Sequence, residues 1–242
     1  MRPIHFLTPF ALTATAFAGG GNDAVINEIR IDQGGADNDE YVEFVGTTFG
    51  PDTWFLSIGD TGAANSGIVE TALSLAGQTF TGTHFVAAES TFTLGTADFD
   101  TGSALNFENS DNLTFMLVEG FTGAQFDDLD TDDDGVLDVT PWTAIHDSVA
   151  FVETFDIPAS GEHIYSATTV GPDGSFVPGH AHRCPDGPGG VWTIAPFDIG
   201  PNDTPGAVND CSPVNDTCAT PETAFLGANP FDTTFASNSG VG

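Results

Sequence analysis

The sequence contains no lysine and only three arginines, Arg2, Arg30 and Arg183, against 35 acidic residues, giving a formal charge of −32. That scarcity excludes nucleic acid as a partner, because phosphate is held by clustered cations. Helix signals are equally scarce: no stretch long enough for three turns keeps a 3.6-residue apolar period. Beyond the first 18 residues no apolar run is long enough to span a bilayer, so no membrane insertion is expected. The three cysteines, Cys184, Cys211 and Cys218, all fall in the last quarter. They read as disulfide partners of an exported chain rather than as metal or catalytic ligands.

The exported reading rests on the N-terminus. Arg2 precedes an apolar run from Phe6 to Ala18 that closes on Ala16-Phe17-Ala18, an A-x-A cleavage pattern. Residues 1–18 are therefore expected to be a signal peptide, and the mature chain a secreted or cell-surface protein. The preferred pairing joins Cys184 to Cys211 across two late loops and leaves Cys218 for a partner outside this chain. Residues 211–242, rich in Pro, Thr, Asn and Asp, read as a linker or as the truncated start of a second domain.

Strand signals are frequent. The segments 24–31, 40–45, 54–58, 67–73, 84–88, 113–118, 144–152, 163–165 and 191–194 carry apolar or alternating patterns, and turn-rich punctuation separates them. Many short strands with irregular connections point to an all-β sandwich over about 19–210. With 40% hydrophobic residues, 21 of the chain being Phe, there is enough apolar mass for one good core. Strict alternation in the first strand would set Ile26 and Glu28 on one face and Asn27 on the other, as an inward polar group in a core network. Glu40 and Glu43 would face opposite ways and make no acid/base pair.

Aspartate outnumbers glutamate 25 to 10, a bias that suits turns and divalent-cation ligation, with solubility in a saline habitat as the plainer account. The densest stretch is DTDDDGVLD at 130–138. Asp130, Asp132 and Asp134 stand at positions 1, 3 and 5 of a D-x-D-x-D-G loop, Gly135 permits the sharp turn, the Val136 carbonyl can ligate, and Asp138 is at position 9. Five carboxylates in nine residues repel by roughly 1–3 kcal/mol per close pair, so a compact loop calls for a structural Ca²⁺. Pro141 replaces the bidentate glutamate of an EF-hand, which leaves water or a further carboxylate, Asp127 or Asp128, to complete a weak site.

Other chemistry is thinner. His180 and His182 in GHAHRC offer a zinc pair with Asp173, Asp186 or His163 as a third ligand, but Pro178 and Gly179 mark a loop where histidines commonly do other work. Asp-Thr-Gly triplets occur at 60–62 and 100–102, the second in a polar turn, and no G-x-S-x-G elbow exists. No catalytic residue is assigned. Trp54, Trp142 and Trp192 offer stacking faces for a glycan, with core packing as the plainer use.

Taken in order, VINEIRID at 25–32, DEYVEFVG at 39–46, LNFENSDNLTFMLVE at 105–119, HDSVAF at 146–151, Trp192 and TPGAVN at 204–209 resemble the lamin tail domain, an immunoglobulin-like β-sandwich found in exported bacterial proteins and nuclear lamins. The acidic stretch at 127–138 is an insertion in that pattern and resembles the calcium loops of dockerin and thrombospondin type 3 modules. The resemblance implies a binding, adhesive or accessory module with no shared catalytic residues, facing a protein or glycan surface ligand. The alternatives are an accessory domain of a secreted nuclease or phosphoesterase, and a carbohydrate-binding module.

Overall fold

The structure, a computed structural model, describes residues 21–60, 65–156 and 162–211. The leader and the segment with Cys218 lie outside the described residues. The described chain forms eleven strands: β1 (Val25–Arg30), β2 (Tyr41–Val45), β3 (Thr53–Asp60), β4 (Ser66–Ser74), β5 (His84–Ala88), β6 (Phe99–Asp100), β7 (Leu113–Glu119), β8 (Ala144–Phe151), β9 (Thr169–Val170), β10 (His180–Cys184) and β11 (Val191–Ile194). They make two sheets, ordered β11-β10-β1-β2-β5-β6 and β4-β3-β7-β8-β9. Only β5–β6 and β8–β9 pair in parallel. The fold is an all-β sandwich.

Between the sheets lies an aromatic core. Phe44 of the first sheet meets Phe55 of the second at 5.7 Å between ring centroids, and Phe55 stacks on Phe115 at 5.9 Å. Phe115 then meets Phe151 edge to face at 5.1 Å, and Phe151 meets Trp192 at 6.1 Å. Ile26, Ile29, Val42 and Val149 fill the space around them. Burying each such ring is worth about 1.5–3 kcal/mol, so the phenylalanines are the main cohesive element.

Both sheets are covered on their outer faces as well. In β7 the odd residues Leu113, Phe115 and Leu117 enter the central core, while Met116 and Val118 join Leu56, Ile58, Val69, Phe121 and Leu129 in a second apolar layer. This explains the unbroken apolar run LTFMLV: a strand buried on both faces has no polar side to show.

The first strand departs from simple alternation. The β1–β2 register shifts between Ile26 and Glu28, a β-bulge at Asn27. The extra residue lets Ile26 and Ile29 both enter the core and turns Asn27 and Glu28 together to the outer side. The expectation of an inward Asn27 is thus corrected: its amide donates to Glu43 Oε1 at 2.9 Å, and its carbonyl accepts from the Gly187 amide at 2.9 Å. Residues 163–165, expected as a strand, run as irregular chain over the second sheet; the short β6 and β9, and the buried β10, were not legible as strands.

Candidate metal centre

The acidic insertion docks on the free edge of β4. Val69 N donates to Asp127 O at 3.0 Å, Phe126 N to Val69 O at 2.7 Å, and Leu129 N to Gly67 O at 2.9 Å. Gly67 makes the approach possible: at φ +83° it adopts a conformation L side chains avoid, and an added Cβ would lie 2.6 Å from Asp130 Cβ. Leu129 is 1% exposed and anchors the insertion in the outer apolar layer, beside Leu137 and Trp142.

Asp130, fully buried, organises the loop. Its Oδ1 accepts from the Asp134 amide at 3.2 Å, and its Oδ2 from the Gly135 amide at 2.9 Å and the Tyr165 hydroxyl at 2.7 Å. Burial, with the adjacent Asp130 carboxylate, pushes the Tyr165 phenol well above its ordinary range. Gly135, at φ +86°, packs so closely on His163 that a Cβ would come within 2.7 Å of its Nδ1. The His163 ring in turn contacts the Asp133 carbonyl at 2.8 Å.

Of the carboxylates singled out in the sequence, Asp130, Asp132 and Asp138 each bring an oxygen within 4.8 Å of the others. The Asp132 carboxyl is raised above its ordinary value, chiefly by the charge of Asp134 and further by Asp138 and Asp130. Asp134 is outside that group of three; its Oδ1 accepts from the Val136 amide at 2.9 Å. The Val136 side chain stands in solvent. Asp138 Oδ2 accepts from the Thr131 amide at 2.9 Å and the Thr131 hydroxyl at 2.5 Å. Asp127 and Asp128 are occupied with the Ala124 and Asp130 amides. Three oxygens therefore converge, and hard oxygen ligands of this kind suit Ca²⁺.

A second gathering of carboxylates was not visible in the sequence, because its members come from four segments. Asp60, Glu108 and Asp111 converge within 4.8 Å, as do Asp111, Glu153 and Glu162. Asp60 and Glu108 border a cleft of about 500 Å³ that Glu70 and the exposed Phe126 also line. Burial, then the hydrogen bond and charge of Glu108, push the Glu70 carboxyl up to about 9. It therefore keeps its proton at neutral pH and donates to Glu108.

The two arginines of the described chain are both spent internally. Arg183 reaches across the sandwich: its Nη2 binds both oxygens of Asp147 at 2.8 Å, its Nε donates to the Ile26 carbonyl at 2.7 Å, and its guanidinium lies 5.1 Å from the Trp192 ring centre. Arg30 donates from Nε to Asp203 Oδ1 at 2.6 Å and from Nη1 to the Asp32 and Phe197 carbonyls, each at 2.9 Å. Neither is left to attract an anionic ligand.

His180 and His182 lie in β10, not in a loop, and both are buried. The residue that joins them is Glu28, rather than Asp173, Asp186 or His163. The Asp-Thr-Gly aspartates, Asp60 and Asp100, sit on different sheets and form no dyad. Trp192 is buried, and Trp54 and Trp142 pack partly buried against the outer apolar layer. Cys184 pairs with Cys211 at a Cα separation of 5.5 Å, tying the end of β10 rather than a loop to the chain that follows β11. Among the described residues no helix is long and apolar enough to cross a membrane. No family model, curated protein or solved structure matches the chain.

Proposed function

We propose that this chain is an exported, non-catalytic binding or surface-structural module of lamin-tail type, whose acidic insertion is fastened by a structural Ca²⁺. The observation that carries the reading is the convergence of Asp130, Asp132 and Asp138 within 4.8 Å on a loop that also covers the second sheet. Their mutual repulsion opposes the docked conformation, and a hard dication reverses the sign of that term. Oxygen ligands from Asp134 and the Val136 carbonyl would join after small rotations of the loop. The disulfide between Cys184 and Cys211 supports an oxidising compartment. The internal pairing of both described arginines leaves an acidic surface suited to cations or to polar, uncharged ligands on proteins or glycans.

Thermal melting with Ca²⁺ and with chelator tests the proposal. At ten times a Kd of about 10⁻⁴–10⁻³ M, Ca²⁺ contributes about 1.4 kcal/mol, or roughly 3–5 °C in Tm for a chain of this size. Superimposable curves in Ca²⁺ and chelator would remove the ion from the account.

A further inference from the structure

We infer that Glu28, His180 and His182 form a second and chemically different metal site, a buried centre for Zn²⁺ or a similar borderline cation. The three residues lie on the outer face of the first sheet, where β10 alternation sets both histidines on one side and Glu28 is the cross-strand partner of His182. One ligand atom from each lies within 4.8 Å of the others, and all three residues are buried. Two imidazoles and a carboxylate are a ligand set zinc favours over calcium.

His182 supplies the observation that points to a ligand. It is 2% exposed, yet its Nδ1 has no hydrogen-bond partner. Burial, followed by the His180 neighbour, pushes its pKa down. The unpartnered Nδ1 of this buried ring carries the cost a buried polar atom ordinarily avoids.

The neighbours define what such an ion must displace. Arg30 donates to His180 Nδ1 at 3.1 Å, so in the empty site Nε2 carries the proton and donates to Glu28 Oε1 at 2.7 Å. A metal at Nε2 would replace that hydrogen bond; with the proton then on Nδ1, Arg30 Nη2 would have to give up its 3.1 Å contact and Nδ1 to close its 3.7 Å gap to Asp203 Oδ1. Arg30 is paired with Asp203 at 2.5 Å, while Glu28 Oε1 accepts from His180, Tyr41 and the Thr204 amide and Oε2 from the Thr204 hydroxyl, so an ion would take the place of some of these donors. The Tyr41 hydroxyl donates to Glu28 Oε1 at 2.5 Å and lies 3.4 Å from His180 Nε2, and would be the next nearest oxygen to such an ion.

Because the site is closed, zinc is loaded as the chain folds. The test is the metal content of the full chain produced in an oxidising compartment with supplemented zinc, then dialysed against excess Ca²⁺. A single zinc per chain is expected in the parent and in Asp132→Asn, and less than about a tenth of that in Glu28→Gln and His182→Gln. Zinc well below stoichiometric in the folded parent, or full zinc in His182→Gln, overturns the site. Nitrogen NMR of the parent's histidine rings decides independently of any variant: unmoved His182 Nδ1 and His180 Nε2 resonances in zinc-supplemented protein reject it. Calcium-dependent melting reads different residues, so either metal reading can fail without the other.

Discussion

The outer faces of the two sheets are both buried, but by opposite means. The second sheet presents Leu56, Ile58, Met116 and Val118, and the acidic insertion covers them with Leu129, Leu137 and Trp142. The first presents Glu28, Arg30, Glu43, His180 and His182, which residues 196–209 cover with specific bonds, beside a smaller apolar patch of Tyr41, Val86 and Ala88 under Phe92, Leu94 and Ala97. Thr204 donates to Glu28 from its amide at 3.2 Å and its hydroxyl at 3.0 Å, the Gly206 amide donates to Glu43 Oε2 at 2.6 Å, and the Asn209 side chain donates to the Arg183 carbonyl at 2.9 Å. An apolar lid tolerates small shifts, since its attraction is non-directional. A polar one does not, because each buried group left unpaired costs about 1–3 kcal/mol.

The ionisation of the polar face shows how finely it is balanced. Burial pushes the Glu43 carboxyl up to about 9, with the Glu28 charge adding to it. Glu28 experiences the same burial, but bonds from His180, Tyr41 and Thr204 hold it below its ordinary value. Neighbouring glutamates are thereby driven apart, one keeping its proton and the other its charge. On the opposite side of β2, burial and the charge of Asp37 push Glu40 up to about 9, while its Oε1 accepts from the Phe107 amide at 3.0 Å.

The sharpest way to break the comparison is Arg183→Met. It leaves Asp147, whose carboxyl is already raised by burial, without its counter-charge, and a loss of about 3–5 kcal/mol in urea unfolding is expected. Converting Asp147→Leu in the same chain should recover only the part owed to the unpaired charge, because the Ile26 amide and carbonyl then lose their Asp147 and Arg183 partners. On the apolar side, Leu129→Ala should cost about 2–4 kcal/mol. Hydrogen exchange should then show faster opening of residues 126–138 than of the polar strap.

A smaller effect comes from pH. Glu40, Glu43 and Glu70, raised from 4.5 to about 9, contribute stability that is fully present below pH 4.5 and lost as pH rises through 9. Glu28, depressed, contributes stability present above pH 4.5 and lost as pH falls through its lower folded value. Tm should therefore fall from mildly acidic to alkaline pH, by roughly 3–10 °C if about 1–3 kcal/mol is involved. Glu70→Gln keeps the donation to Glu108 without the titration; it should be neutral at pH 6 and stabilising at pH 9. The smallest expected change is Asp132→Asn without Ca²⁺: a slight rise in Tm from relieved repulsion, together with loss of the Ca²⁺ response.

Most of the sandwich was legible because apolar residues at strand period report burial directly. The segments around Ile26, Phe44, Phe55, Phe85, Phe115, Val149 and Trp192 all became strands. The failures share one physical origin. β10 reads GHAHRC after Pro-Gly, so its polarity disguised a strand whose side chains are buried by a polar cover. The bulge at Asn27 was likewise invisible, because the partners it fits to Glu28 and Asn27 include His180 and Gly187, more than a hundred residues later.

The carboxylate spacing of 130–138 could be read without coordinates, since a ligand loop is local and its period is written in consecutive residues. That the same segment is the lid of a sheet, that Asp134 turns to a backbone amide, and that Glu28 meets two histidines could not. What the sequence determined by itself was the local chemistry: strands, turns, an acidic loop and an acidic chain. The tertiary structure decided which polar groups are removed from water together, because desolvation and hydrogen-bond partnership depend on residues far apart in the chain.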